Sequence, residues 1–143
     1  MKKELKVMVN QVGFRDKLKN ERGSLSIEFL GILPFYFLFF LLLWQVVASG
    51  YAVIHLKSVA SDAAKLYAVS EDYYETKDLI DEAIGDSELL KNHTFEIRRD
   101  IYNPALFVIE IEADHSLVFL PGNFKEKVPI KLDSKAIGKV LIP

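Results

Sequence analysis

The residues best placed to do chemistry lie together near the start of the chain, in Arg22-Gly23-Ser24-Leu25-Ser26-Ile27-Glu28-Phe29, with Pro34 close behind. Glu28 stands at the mouth of a long apolar run. Charges in such positions are costly and tend to be paired or functional. One reading is local: Glu28 falls in the first turn of a helix, whose N-terminus carries partial positive charge, and Ser24 or Ser26 caps it. A second reading uses the glycine. Cleavage after Gly23 would turn Ser24 into a cationic N-terminus, one helical turn from Glu28 and on the same face. In an array of parallel helices, the carboxylate could instead meet a neighbour's amine and set the axial offset between subunits, as a buried polar group sets register in a coiled coil. Pro34 removes a backbone donor and crowds the carbonyl of Leu30, so it is a candidate helix kink. Membrane helices tolerate such kinks.

Other reactive constellations are missing from the sequence. His55, His93 and His115 are far apart and lack the spacing of a metal motif. No phosphate-binding glycine loop, nucleophile elbow or Cys/His pair is present, and the chain contains no cysteine. Glu110 and Glu112 share one strand face, where solvated charge is the simpler reading than acid–base catalysis. Asn92-His93-Thr94 matches a glycosylation sequon, which we read as a chance match. The expectation is a protein that is not an enzyme and needs no cofactor or metal.

The elements that carry these residues follow from hydropathy and charge. Phe29 to Ile54 is a run of 26 residues without a charged side chain. A helix rising ~1.5 Å per residue over that length reaches about 39 Å, enough to cross a hydrocarbon core about 30 Å thick with some tilt. Residues 1–23 hold seven Lys/Arg against three Asp/Glu, a net of +4. The other 120 hold 11 against 17, a net of −6, giving −2 for the chain. Basic residues stay on the cytoplasmic side, which puts the N-terminus inside and the C-terminal domain outside the cell membrane. That acidic outer part argues against nucleic acid as a partner. A secretory signal peptide would carry its apolar region within the removed segment. Here a basic leader, 1–23, precedes the apolar segment, so its removal would leave the anchor in place.

Three segments are therefore expected: the leader (1–23), a transmembrane helix (24–54) and an extracytoplasmic domain (55–143). Val53, Leu56, Ala60, Ala63, Tyr67 and Tyr74 form an amphipathic stripe that extends the first helix to about Ser70. We read this Ala-rich face as packing on the chain's own C-terminal domain. A second helix is expected over 77–91, capped by Thr76 and weakened or ended by Gly85. From residue 93 the period becomes two. Phe95 and Ile97, then Phe107, Ile109 and Ile111, alternate with polar or outward residues about an Asn103-Pro104 turn. One register sets Ile97 opposite Ile111 and Arg98 opposite Glu110. Two more short strands are expected at 116–120 and 128–132, divided by Pro121-Gly122-Asn123. The fold class is α+β: a long N-terminal transmembrane helix running into a small helix-plus-antiparallel-sheet domain.

The order basic leader, Gly23, Ser24, Glu28-Phe29, Pro34 and apolar span resembles the type IV prepilin signal, specifically that of the TadE-like minor pilins of the tight-adherence (Flp) pilus system. Gly23 matches the position before the cut, Ser24 the new N-terminus, and Glu28-Phe29 the Glu-Phe/Tyr pair. Pro34 matches a proline common six residues after that glutamate. The resemblance covers about 22–70. The aromatic residue that follows the cut in type IVa pilins is absent. The resemblance implies a minor pilin or pseudopilin, cleaved by a prepilin peptidase. Its partners would be other pilin subunits and the pilus assembly platform, in adhesion, competence or secretion. The alternatives are an uncleaved membrane-anchored accessory subunit and a tethered extracellular binding domain.

Overall fold

The computed structural model describes residues 21–120, 123 and 127–141, the first five by backbone alone. Most of the expected leader and the Pro121-Gly122 turn signal lie outside the described residues. The described chain is α+β: helix α1 (Glu21–Ser70), helix α2 (Tyr73–Gly85), and strands β1 (Leu90–Arg99), β2 (Leu106–His115) and β3 (Ile130–Lys139). Chain contacts divide it into a unit running through Leu42 and a second unit beginning at Leu43.

The first unit is helix, continuous through Pro34. Every residue from 26 to 40 is exposed, on all sides of the helix. A helix that is hydrophobic all round needs an apolar environment to bury it. Its length and composition suit a membrane span, and the 45 residues Ser26–Ser70 include an 18-residue window only 6% buried.

In the second unit, α1 acquires an inside and an outside. Gln45, Ala52, Leu56, Val59, Ala60, Ala63, Ala64, Tyr67 and Ala68 are buried, whereas Lys57, Asp62 and Lys65 face outward. Small alanine side chains supply much of this buried face, packed in one core with Phe107, Ile109 and Ile111 of the sheet. The stripe departs from expectation at its two ends, since Val53 is 47% and Tyr74 77% exposed. Tyr74 belongs to α2, because α1 stops at Ser70 and Glu71 takes a positive φ of 52°. At the far end, the amide of Leu141 donates to the carbonyl of Ala68 (3.0 Å), and Arg99 donates to Tyr67 and Glu71 (3.0 and 2.9 Å). These three bonds tie the end of α1 and Glu71 to β1 and to the residues that follow β3.

Helix α2 starts four residues earlier than expected. Asp72, not Thr76, is its cap, accepting from the amides of Tyr74 (2.7 Å) and Glu75 (3.2 Å). An aspartate with a glutamate three residues later is the stronger start signal. Thr76 is buried instead, its hydroxyl donating to the carbonyl of Asp72. With Ile80 and Ile84 it forms the packed face, and the helix ends at Gly85.

The sheet is an antiparallel meander, β1-β2-β3. Phe107, Ile109, Ile111, Ala113 and His115 of β2 alternate inward and are buried, joined by Leu90 and the half-buried Phe95, Ile97, Leu132 and Ala136. The β1–β2 register is two residues from expectation: Ile97 pairs with Ile109, Phe95 with Ile111 and Arg98 with Val108. A shift of two keeps every side chain on its own face, so the hydrophobic pattern alone allows both registers. The turn decides. Asp100 accepts from the amides of Tyr102 and Asn103, which moves the centre of the hairpin from 104 to 103. The Arg98–Glu110 ion pair survives as a diagonal contact, and Lys135, directly opposite Glu110, joins it at 2.8 Å. The Lys135 ammonium holds the Glu110 carboxyl below its usual range.

Residues 116–120 are not a strand but a turn, and the last strand is longer and later than 128–132, at 130–139. Leu117, Val118, Phe119 and Leu120 are apolar without alternation. The inward residues of β3 include Ser134 and Gly138, which hid its period.

Candidate functional site

The sequence pointed to the start of α1. The backbone there is helical at Gly23 and Ser24. Glu28 and Phe29 follow within the same helix, both exposed, Phe29 at 64%. Exposed carboxylate and apolar ring on a helix with no inward face form a surface that another apolar helix could cover. Pro34 is 13 residues downstream of Glu21 in an uninterrupted helix.

The site that sequence reading missed is a buried polar chain in the second unit. His115 is fully buried at the end of β2. Its Nδ1 lies 3.0 Å from the carbonyl of Leu89. A carbonyl only accepts, so Nδ1 carries the hydrogen and Nε2 is left as an acceptor in the neutral ring. Ser49 Oγ (3.0 Å) and Gln45 Nε2 (3.3 Å) both reach Nε2. Gln45 Nε2 also donates to Ser49 Oγ at 3.0 Å, and Gln45 Oε1 accepts from the amide of Val118 at 2.8 Å. The donors then run in one direction: Val118 to Gln45, Gln45 to Ser49, Ser49 to His115, His115 to Leu89.

This chain of bonds has a structural purpose and a topological consequence. Gln45 and Ser49 interrupt the uncharged run Phe29–Ile54, one turn apart on one face. A primary amide left unpaired in hydrocarbon costs several kcal/mol. Here the sheet and its adjoining loops supply its partners. Counted at about 20 residues per span, a membrane segment beginning at Phe29 ends near Ala48, between the two. The signal was available: two polar residues at helical spacing in an apolar run, and a histidine in phase with Phe107, Ile109, Ile111 and Ala113.

The other histidines stand apart from this one. His55 stacks on Tyr51, their centroids 6.1 Å apart. His93 Nε2 lies 2.7 Å from Asp81, which also pairs with Lys77 at 2.9 Å. Lys77 first, and His93 after it, hold the Asp81 carboxyl below its usual range. Among the described residues, no group of three or more His, Cys, Asp or Glu could hold a metal ion. Glu110 sits in an ion-pair cluster, and Glu112 is exposed opposite Asp133. No family model, curated protein or solved structure matches this chain.

Proposed function

We propose that this chain is a minor pilin or pseudopilin of the TadE-like kind, cut after Gly23 and anchored by α1 with its α+β unit outside the membrane. Its work is packing, with Glu28 setting the offset between subunits, and it catalyses no reaction. The observation that carries this reading is the continuity of α1. One helix runs from Glu21, through residues exposed on every side, into the buried spine of the second unit. A helix of this form serves as an anchor before assembly and as a packing element after it. Glu28, an acidic side chain exposed beside an apolar run, gains a partner in that second state.

Photo-crosslinking from position 29, with a benzophenone amino acid replacing Phe29 in producing cells, tests the proposal. The expected adducts are with other pilin subunits and fall sharply when Glu28→Gln is added. Adducts that do not respond to Glu28→Gln, on a chain that keeps residues 1–23, would support the anchored accessory subunit instead.

A further inference from the structure

The connection between β2 and β3 starts with Ser116-Leu117-Val118-Phe119-Leu120, four apolar residues in succession outside any regular element. The pairing of His115 with Ile130 closes the β2–β3 ladder at this end of the sheet, so residues 116–120 leave β2, and 127–129 enter β3, there. Val118 is tied to α1: its amide donates to Gln45 at 2.8 Å. Gln45 is flanked on the helix surface by Trp44, Val46 and Val47, exposed at 55%, 69% and 68%. Phe119 (41%) and Val128 (53%), from the two described ends of the connection, are exposed as well. Soluble surfaces rarely gather such residues without something to cover them.

We infer that Phe119 and Val128, at the two described ends of this connection, make a second membrane contact, seated in the interfacial layer of the same bilayer that α1 crosses. The occupant follows from the tether. Gln45 lies three residues before Ala48, where a span begun at Phe29 runs out of hydrocarbon, so a loop bonded to Gln45 is held at that boundary. Trp44 and Phe119 then serve as interfacial aromatic anchors. Backbone outside a helix or barrel is excluded from the hydrocarbon unless its polar groups are satisfied. The N–H of Val118 is satisfied by Gln45. The chain of bonds from Val118 through Gln45 to His115 thus holds the start of the connection at Gln45.

This inference rests on α1 being a membrane span, and the test separates the two. The chain has no cysteine, so single cysteines can be labelled with an environment-sensitive fluorophore. Phe119→Cys, Val128→Cys, Phe37→Cys and Tyr102→Cys full-length chains are reconstituted in phosphatidylcholine vesicles. Each is quenched by lipids spin-labelled near the glycerol backbone or at mid-acyl chain, and separately by aqueous iodide. Position 102, at the hairpin tip and 96% exposed, reports water. Position 37 reports the span. The expected result is a blue shift and lipid quenching at 119 and 128, with iodide effective only at 102. Lipid quenching at 37 alongside iodide quenching at both 119 and 128 would overturn the loop contact and leave the span standing. Iodide quenching at 37 would overturn both. Shielding of 119 and 128 from both quenchers would mean a protein partner covers the loop and would overturn the lipid assignment.

Discussion

Replacing His115 with alanine should destabilise the α+β unit by about 2–4 kcal/mol, more than any other single truncation in its polar network. The imidazole is fully buried, so its removal leaves a cavity among residues that cannot close over it. It also orphans the carbonyl of Leu89 and removes an acceptor from Ser49 and Gln45. Each buried group left unpaired costs about 1–3 kcal/mol. For a unit of this size, a loss of 1 kcal/mol lowers the melting temperature by roughly 4–8 °C. The measurement is thermal unfolding of the full chain in detergent, followed by circular dichroism. Gln45→Leu should also destabilise, because it strands the amide of Val118. The double variant should cost less than the two single effects added together, since both break one network. Additive effects, or a change within about 0.5 kcal/mol for His115→Ala as at an ordinary surface site, would mean the chain of bonds does not hold the helix to the sheet.

Gly138→Ala should cost about 1–3 kcal/mol although it adds one methyl group. A Cβ at position 138 would collide with Cζ and both Cε atoms of the Phe107 ring. The two residues are direct cross-strand partners, and the ring lies over the glycine. Phe107 cannot swing away freely: it is 1% exposed and packs edge-on against Tyr67, centroids 4.9 Å apart. The test is a double-mutant cycle with Phe107→Leu. That substitution has its own cost, but it clears the space above position 138. Gly138→Ala should therefore be much less harmful in the Phe107→Leu background. An equal penalty in both backgrounds would locate the strain elsewhere in β3.

These two positions also mark where the sequence stopped being legible. Elements with one dominant pattern could be read directly. The uncharged run gave the long helix, and the stripe Leu56, Ala60, Ala63, Tyr67 gave its buried face. The alternation from Phe107 to Ile111 gave the central strand. What failed was set by partners remote in sequence, or by turn and cap geometry that the apolar pattern does not carry. Gly138 and Ser134 obscure the inward period of β3, because the space they occupy is limited by β2. The β1–β2 register depended on Asp100 turning the backbone, which the apolar pattern cannot report. Thr76 looked like a cap only because Asp72, four residues earlier, was overlooked.

The candidate site divides the same way. Gly23, Ser24, Glu28, Phe29 and Pro34 form a local motif and were visible as one. The set Gln45, Ser49 and His115 joins residues up to 70 positions apart and became visible only in the fold. Gln45 was nonetheless a clue, as a primary amide inside a segment otherwise suited to lipid.

The central claim is that Glu28 belongs to a processed, assembling helix, and the intact mass and N-terminal sequence of the chain purified from its native membranes test it most directly. The expected result is a mature chain beginning at Ser24, with processing abolished when Gly23 is replaced by a bulky residue. A chain still beginning at Met1 in the presence of an active prepilin peptidase would contradict it and leave an anchored accessory subunit in its place.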